Sequence, residues 1–107
     1  MTNVINIYDE LGWEEAAGYP VGTRLKTLRD DHTAKTILLK LPPGFVMDSH
    51  SHVTPEQHLV LEGEYESEGS VYTSGTYQLI PAGTDHGPFK SKTGGIILIV
   101  WDPFDGK

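Results

Sequence analysis

Gly44-Phe-Val-Met-Asp-Ser-His50-Ser-His52-Val-Thr-Pro-Glu56-Gln-His58-Leu-Val-Leu-Glu-Gly63 is the stretch that decides how this chain is read. Side chains two apart on a strand point to the same face, so His50 and His52 can present two imidazoles to one point. Val53-Thr54-Pro55 then breaks the strand, and Glu56 can return a carboxylate from the neighbouring one. Two imidazoles and a carboxylate are a donor set that suits Fe, Mn, Ni or Zn. The stretch lacks a further ligand, which has to come from downstream.

The sequence around this stretch is cut into short pieces by twelve glycines and seven prolines, few of which could hold a long helix. Thr23 to Leu28 and Ala34 to Leu41 read as strands joined by an Asp30-Asp31-His32 turn, and Pro42-Pro43-Gly44 ends the second. Gln57 to Ser67, Ser70 to Ile80 and Gly95 to Trp101 supply at least three more, the last apolar enough for burial on both faces. Glu14-Glu15-Ala16-Ala17, within Tyr8 to Ala17, is the one candidate for a helical turn or two. Short strands at such spacing with Gly/Pro turns indicate an all-β sandwich or barrel.

At 107 residues the chain reads as a single domain, 1–107. Its 8 basic and 15 acidic residues give a net charge of −7, which disfavours nucleic acid and anionic membrane as partners. The absence of cysteine excludes disulfides, a thiolate nucleophile and Cys-ligated zinc. Met1 to Glu10 has neither the basic start nor the apolar run of a signal peptide, and Ile96 to Trp101, the longest apolar run, is too short to span a bilayer. A soluble cytoplasmic protein is the expectation.

The missing ligand is found in Gly75-Thr-Tyr-Gln-Leu-Ile-Pro81-Ala-Gly83-Thr-Asp-His86. Pro81-Ala82-Gly83-Thr84 is a turn signal that places His86 early in the following strand, and a barrel can bring that strand beside one far back in sequence. His50, His52, Glu56 and His86 would then form one mononuclear centre, leaving a divalent ion with net positive charge and open positions.

These residues carry a family resemblance. Gly44-x5-His50-x-His52-x3-Glu56-x6-Gly63 is similar to the first cupin motif, and Gly75-x5-Pro81-x-Gly83-x2-His86 to most of the second, with Lys90 where that motif usually ends in Asn. Trp13, Gly22 to Leu28, Thr36 to Lys40, Leu59 to Gly63, Ser74 to Tyr77 and Pro81 to Phe89 resemble the cupin domain of ChrR-type anti-sigma factors, over roughly residues 13 to 101. The resemblance implies a double-stranded β-helix (a cupin, or jelly-roll, barrel) of two facing antiparallel sheets, with the metal in its wider mouth. It also implies relatives ranging from diketone-cleaving dioxygenases and quercetinase-like enzymes to small isomerases and zinc-binding regulatory domains. ChrR itself carries a sigma-binding module ahead of its cupin, with additional His and Cys ligands. A dozen residues precede Trp13 here and cysteine is absent, so an anti-sigma role is not expected.

The remaining residues are weighed against the motif. His58, two past Glu56, shares its face and fits a fifth ligand, a donor orienting Glu56, a general acid or base, or a core histidine satisfied by a hydroxyl. It is our candidate catalytic residue. Gln57 should face outward, His32 is expected to be exposed in its turn, and Asp85 points away from His86. Tyr65, Tyr72, Tyr77, Phe45 and Trp101 read as packing. Met47 and Phe89, three residues before His50 and three after His86, are candidate pocket residues forming an apolar wall. Glu62 to Glu68 reads as a solvated hairpin end.

The expected function is a small metal-dependent cupin enzyme, an oxygenase with non-haem Fe2+ acting on a chelating diketone, enol or hydroxy-ketone. Zn2+, Mn2+ or Ni2+ are alternative ions. The competing expectations are a non-catalytic metal- or ligand-binding domain with structural zinc, and a cofactor-free isomerase, which needs a more polar pocket. Val4-Ile-Asn-Ile7 is a short alternating segment that can cross to a second copy as an edge strand, so a homodimer is expected.

Overall fold

The computed structural model describes residues 2–51 and 54–104. Among these, nine strands and no helix are formed: β1 (Trp13–Glu15), β2 (Arg24–Asp30), β3 (Lys35–Leu41), β4 (Phe45–Met47), β5 (Glu56–Ser67), β6 (Ser70–Thr73), β7 (Tyr77–Ile80), β8 (Phe89–Ser91) and β9 (Gly95–Trp101). All pairings are antiparallel. One sheet runs β1-β2-β3-β9-β5-β7 and the other contains β4, β8, β5 and β6.

The long β5 belongs to both sheets. Its first half pairs with β9 and β7, and its second half with β6 and β8. A bulge between Val60 and Glu62 marks the corner. Such an extra residue bends the strand and reverses which parity faces inward. Glu56, His58 and Val60 are buried before the bulge, and Tyr65 and Ser67 after it. At the end of the corner Gly63 takes φ +73°, and a Cβ there would lie 2.1 Å from the Gly94 carbonyl oxygen. A glycine alone permits that approach of β5 to the turn before β9.

The interior is filled by Ile37, Leu39 and Leu41 of β3, Ile97, Ile99 and Trp101 of β9, and Val60, Phe45, Tyr65 and Phe89. Each such side chain contributes about 1.5–3 kcal/mol by leaving water. This is the double-stranded β-helix expected from the sequence. On β9 burial alternates: Ile97, Ile99 and Trp101 are buried, whereas Ile96, Leu98 and Val100 are half-buried on the outer face. No helix among the described residues is long and apolar enough to cross a membrane.

The N-terminal region departs from expectation. Tyr8 to Ala17 forms no helix. Asn6 Oδ1 accepts from the Tyr8 amide at 2.9 Å and Asp9 Oδ1 from the Leu11 amide at 3.0 Å, which builds two tight turns. Trp13–Glu15 is drawn instead into pairing with Arg24–Lys26. Lys26 is buried, and its Nζ donates to the Asn6 and Asp9 carbonyls at 3.2 and 2.8 Å, fastening this segment over the outer face. Val4–Ile7 forms no strand. Ser70 to Ile80, expected as one strand, is two, β6 and β7, interrupted at Ser74 to Thr76.

Candidate metal centre

Of the four expected ligands, Glu56 stands on β5, whereas His50 and His86 stand outside the strands. Glu56 opens β5, locked between Trp101 of β9 and Ile80 of β7, and His58 follows between Ile99 and Gln78. Both side chains are buried, and alternation puts them on one inner face. His58 Nε2 lies 2.6 Å from Glu56 Oε1, and His58 Nδ1 lies 3.0 Å from the Tyr65 hydroxyl. Both ring nitrogens are thus engaged away from any ion, which favours the reading of His58 as a donor orienting Glu56 over that of a fifth ligand.

His50 is held differently. The strand expected to carry it does not extend that far: β4 ends at Met47, and Asp48 and Ser49 are irregular. His50 meets His86 in an isolated antiparallel bridge, each amide donating to the other's carbonyl, at 2.9 and 2.8 Å. His86 likewise precedes β8 and stands outside any strand. Gly87, at φ +108°, lets the two loops close, since a Cβ there would meet the Ser49 Cα at 3.0 Å and the Phe89 ring. The His50 and His86 rings pack edge-on with centroids 4.4 Å apart, and Phe89 packs against both.

The result is a cluster in which one donor atom each from His50, Glu56 and His86 lies within 4.8 Å of the others. Glu56 Oε2 and His86 Nε2 are 3.8 Å apart. Donors sharing an ion at about 2.0–2.2 Å stand roughly 3–4 Å from one another, so a small inward adjustment brings all three onto one divalent ion. Neutral imidazoles with one carboxylate are chemically fit for such an ion. His52 lies outside the described residues.

His50 and Glu56 of the cluster, with His58, form the polar end of a cavity of about 40 Å³. The apolar remainder includes Met47 and Phe89, the two expected pocket residues, with Leu39, Phe45, Ile97 and Ile99 behind them. Phe89 is itself buried, wedged among His50, His58, His86 and Tyr65, so it is floor as much as wall. No lysine or arginine lines the cavity among the described residues.

Two phenols and an amide escaped the sequence reading. Tyr65 accompanies His58 inside because the bulge shifts the phase of β5, and its hydroxyl donates to Gln78 Oε1 at 2.8 Å. Burial holds the Tyr65 phenol well above its ordinary range, with Tyr72 and Glu56 adding to the effect. Tyr19 enters the cavity lining from the loop before β2. Burial, followed by the Glu56 charge, pushes its phenol up to about 12. No motif marks Tyr19, and for Gln78 the available signal was its register opposite His58.

The other candidates fall as follows. His32 is exposed at φ +72° in the β2–β3 turn, and Asp85 is exposed. Gln57 is half-buried on the outer face, where it accepts a 2.6 Å hydrogen bond from the Tyr77 hydroxyl; Tyr77 is 56% exposed and is not core packing. Glu64 braces the β8–β9 turn, accepting from the Lys92 and Thr93 amides at 3.0 and 3.3 Å.

Comparison with known proteins follows the same lines. The family model described as the ChrR cupin-like domain matches residues 2–104. Among solved structures, the fold is similar to an RmlC-like cupin from Shewanella frigidimarina, with TM-score 0.79 and 23% identity over 98% of this chain and 95% of that one. It is similar to the Rhodobacter sphaeroides SigE complex with the anti-sigma ChrR, with TM-score 0.72 and 23% identity, covering 89% of this chain and 51% of that one. An acetylacetone dioxygenase from Acinetobacter johnsonii gives TM-score 0.81 and 16% identity over 95% of this chain and 74% of that one. A search of curated protein sequences found no match.

Proposed function

The chain belongs to the ChrR cupin-like domain family, and from that premise we propose that it holds one divalent transition-metal ion through His50, His52, Glu56 and His86 and acts as a small non-haem oxygenase. The observation that carries this reading is the convergence of the His50, Glu56 and His86 donors, two of which, His50 and Glu56, line a largely apolar cavity. The substrate class follows from the same lining. With no lysine or arginine among the described lining residues to meet a carboxylate or phosphate, and few hydrogen-bonding groups for a sugar, the cavity suits a small neutral ketone or enol with a chelating end. The similarity to an acetylacetone dioxygenase is consistent with that class.

When bound, the ion, with Fe2+ the best fit to oxygen chemistry, supplies Lewis acidity that makes a chelating ketone easier to deprotonate. The chain's own residues do the rest. His58, hydrogen-bonded to Glu56 at 2.6 Å, keeps the carboxylate oriented and is the group placed to hold a proton beside the cluster. Met47 and Phe89 close an apolar wall that excludes water from the reacting end.

Oxygen uptake by the Fe2+-loaded protein over a panel of neutral β-diketones and their carboxylated analogues tests the reading. Uptake with the neutral members, at least a hundredfold lower in His86→Ala, is expected. No uptake with any member would contradict it.

The small cavity favours a second reading. About 40 Å³ holds roughly three water-sized groups, which also suits a closed structural Zn2+ site with no turnover. Tightly held zinc in a protein inert to the whole panel would select it. We further propose a homodimer through Val4–Ile7, where Val4 and Ile5 are 87% and 43% exposed; light scattering at the monomer mass of 11.8 kDa would refute it.

A further inference from the structure

Glu56, His58, Tyr65 and Gln78 form one hydrogen-bonded chain through the barrel wall. His58 bridges Glu56 Oε1 at 2.6 Å and Tyr65 Oη at 3.0 Å, and Tyr65 Oη reaches Gln78 Oε1 at 2.8 Å. The first three side chains are buried and Gln78 is half-buried. A phenol has a single proton to give. If it goes to Gln78, His58 Nδ1 is the donor to Oη. If the Gln78 amide is turned over, so that its NH2 donates to Oη, the phenol donates to Nδ1. In both senses a proton lies between His58 Nε2 and Glu56 Oε1, because two lone pairs do not face each other at 2.6 Å.

Oε1 is therefore engaged by His58, and Oε2 is the oxygen on the His86 side, 3.8 Å from Nε2. We propose that Tyr65 and Gln78 are positioning residues of the metal site: they hold the His58 ring against Oε1, so that Glu56 offers the ion one oxygen, Oε2. Single-oxygen binding by Glu56 would leave open to a chelating substrate a position that binding through both oxygens would fill. The β5 bulge is what makes this possible, since it brings Tyr65 to the face that carries His58. The register of β7 then sets Gln78 opposite His58. In a buried, low-dielectric chain each link strengthens the next.

This inference rests on the metal reading above, and its test separates the two. Metal-free wild type, Tyr65→Phe and Gln78→Ala are titrated with Zn2+ and Co2+, and the His58 ring nitrogens are followed by 15N NMR before metal is added. Tyr65→Phe is expected to shift both ring resonances, to weaken Zn2+ binding by about ten- to a hundredfold, and to change the intensity of the Co2+ visible band as Glu56 turns to two-oxygen binding. Gln78→Ala should do the same to a smaller degree, and it carries the test if Tyr65→Phe does not fold. Unchanged ring resonances, or wild-type affinity with an unaltered Co2+ band, would overturn the positioning role while leaving the metal site intact. A wild type that takes up neither ion would overturn both.

Discussion

The two arms of the candidate metal site are built in contrasting ways. Glu56 and His58 stand on a twelve-residue strand paired on both sides, with its neighbour β9 contributing Ile97, Ile99 and Trp101 to the interior. His50 and His86 stand on loops outside any strand, tied to each other by two backbone hydrogen bonds and by ring packing. The strand arm is fixed by the same contacts that fold the protein. The loop arm has few of those contacts, so its position is set locally and is the part an ion can adjust. Geometry is thus supplied by the wall, and closure by the mouth.

The largest expected effect breaks the wall. Gly63→Ala forces a Cβ to 2.1 Å from the Gly94 carbonyl oxygen at φ +73°, and should cost roughly 4 kcal/mol or more. It would be read as a fall in the urea midpoint, or as failure to fold. A variant within about 1 kcal/mol of wild type would mean that the corner is not rigid.

Metal loading comes next and acts on the mouth. An ion present at about a thousand times its dissociation constant adds about 4 kcal/mol to stability, and a thermal midpoint roughly 15 °C higher. By hydrogen exchange, the His50 and His86 amides of the metal-free protein should exchange much faster than those of Val60 or Ile97, and the ion should narrow that gap. Loop amides already as protected as the wall before metal is added would erase the contrast.

The smallest effect is on the phenols between the two arms. Tyr19 has its pKa raised to about 12, so between the unfolded value near 10 and that figure the native state binds more protons than the unfolded one. The stability from this group is complete below about pH 10 and is lost as pH rises through about 12. Alkaline spectrophotometric titration of the metal-free protein should show a late phenolate step that Tyr19→Phe removes. A Tyr19 that ionises with the first step would place it in water.

Much of this design was legible in the sequence because its determinants are local. Gly and Pro punctuation marks strand ends, so β2, β3, β5 and β9 were found close to their bounds. The Pro81-Ala82-Gly83-Thr84 turn led to His86. What escaped depends on events that single residues do not advertise. A bulge in β5 reverses parity, hiding the partnership of Tyr65 with His58. Trp13–Glu15, inside the Tyr8 to Ala17 segment expected to be helical, is taken into strand pairing with Arg24–Lys26, a non-local partner that the local sequence does not announce. The His50 segment satisfies its backbone across to His86 and not along the strand that the two-residue spacing of His50 and His52 implied.

The central claim is that the arms close on one ion. Elemental analysis of protein purified without added metal tests it most directly. The account predicts about one transition-metal ion per chain, lost in the His50→Ala, His86→Ala double variant while the barrel remains folded. Protein free of metal that also takes up none on titration, or a metal content unchanged in the double variant, would contradict it.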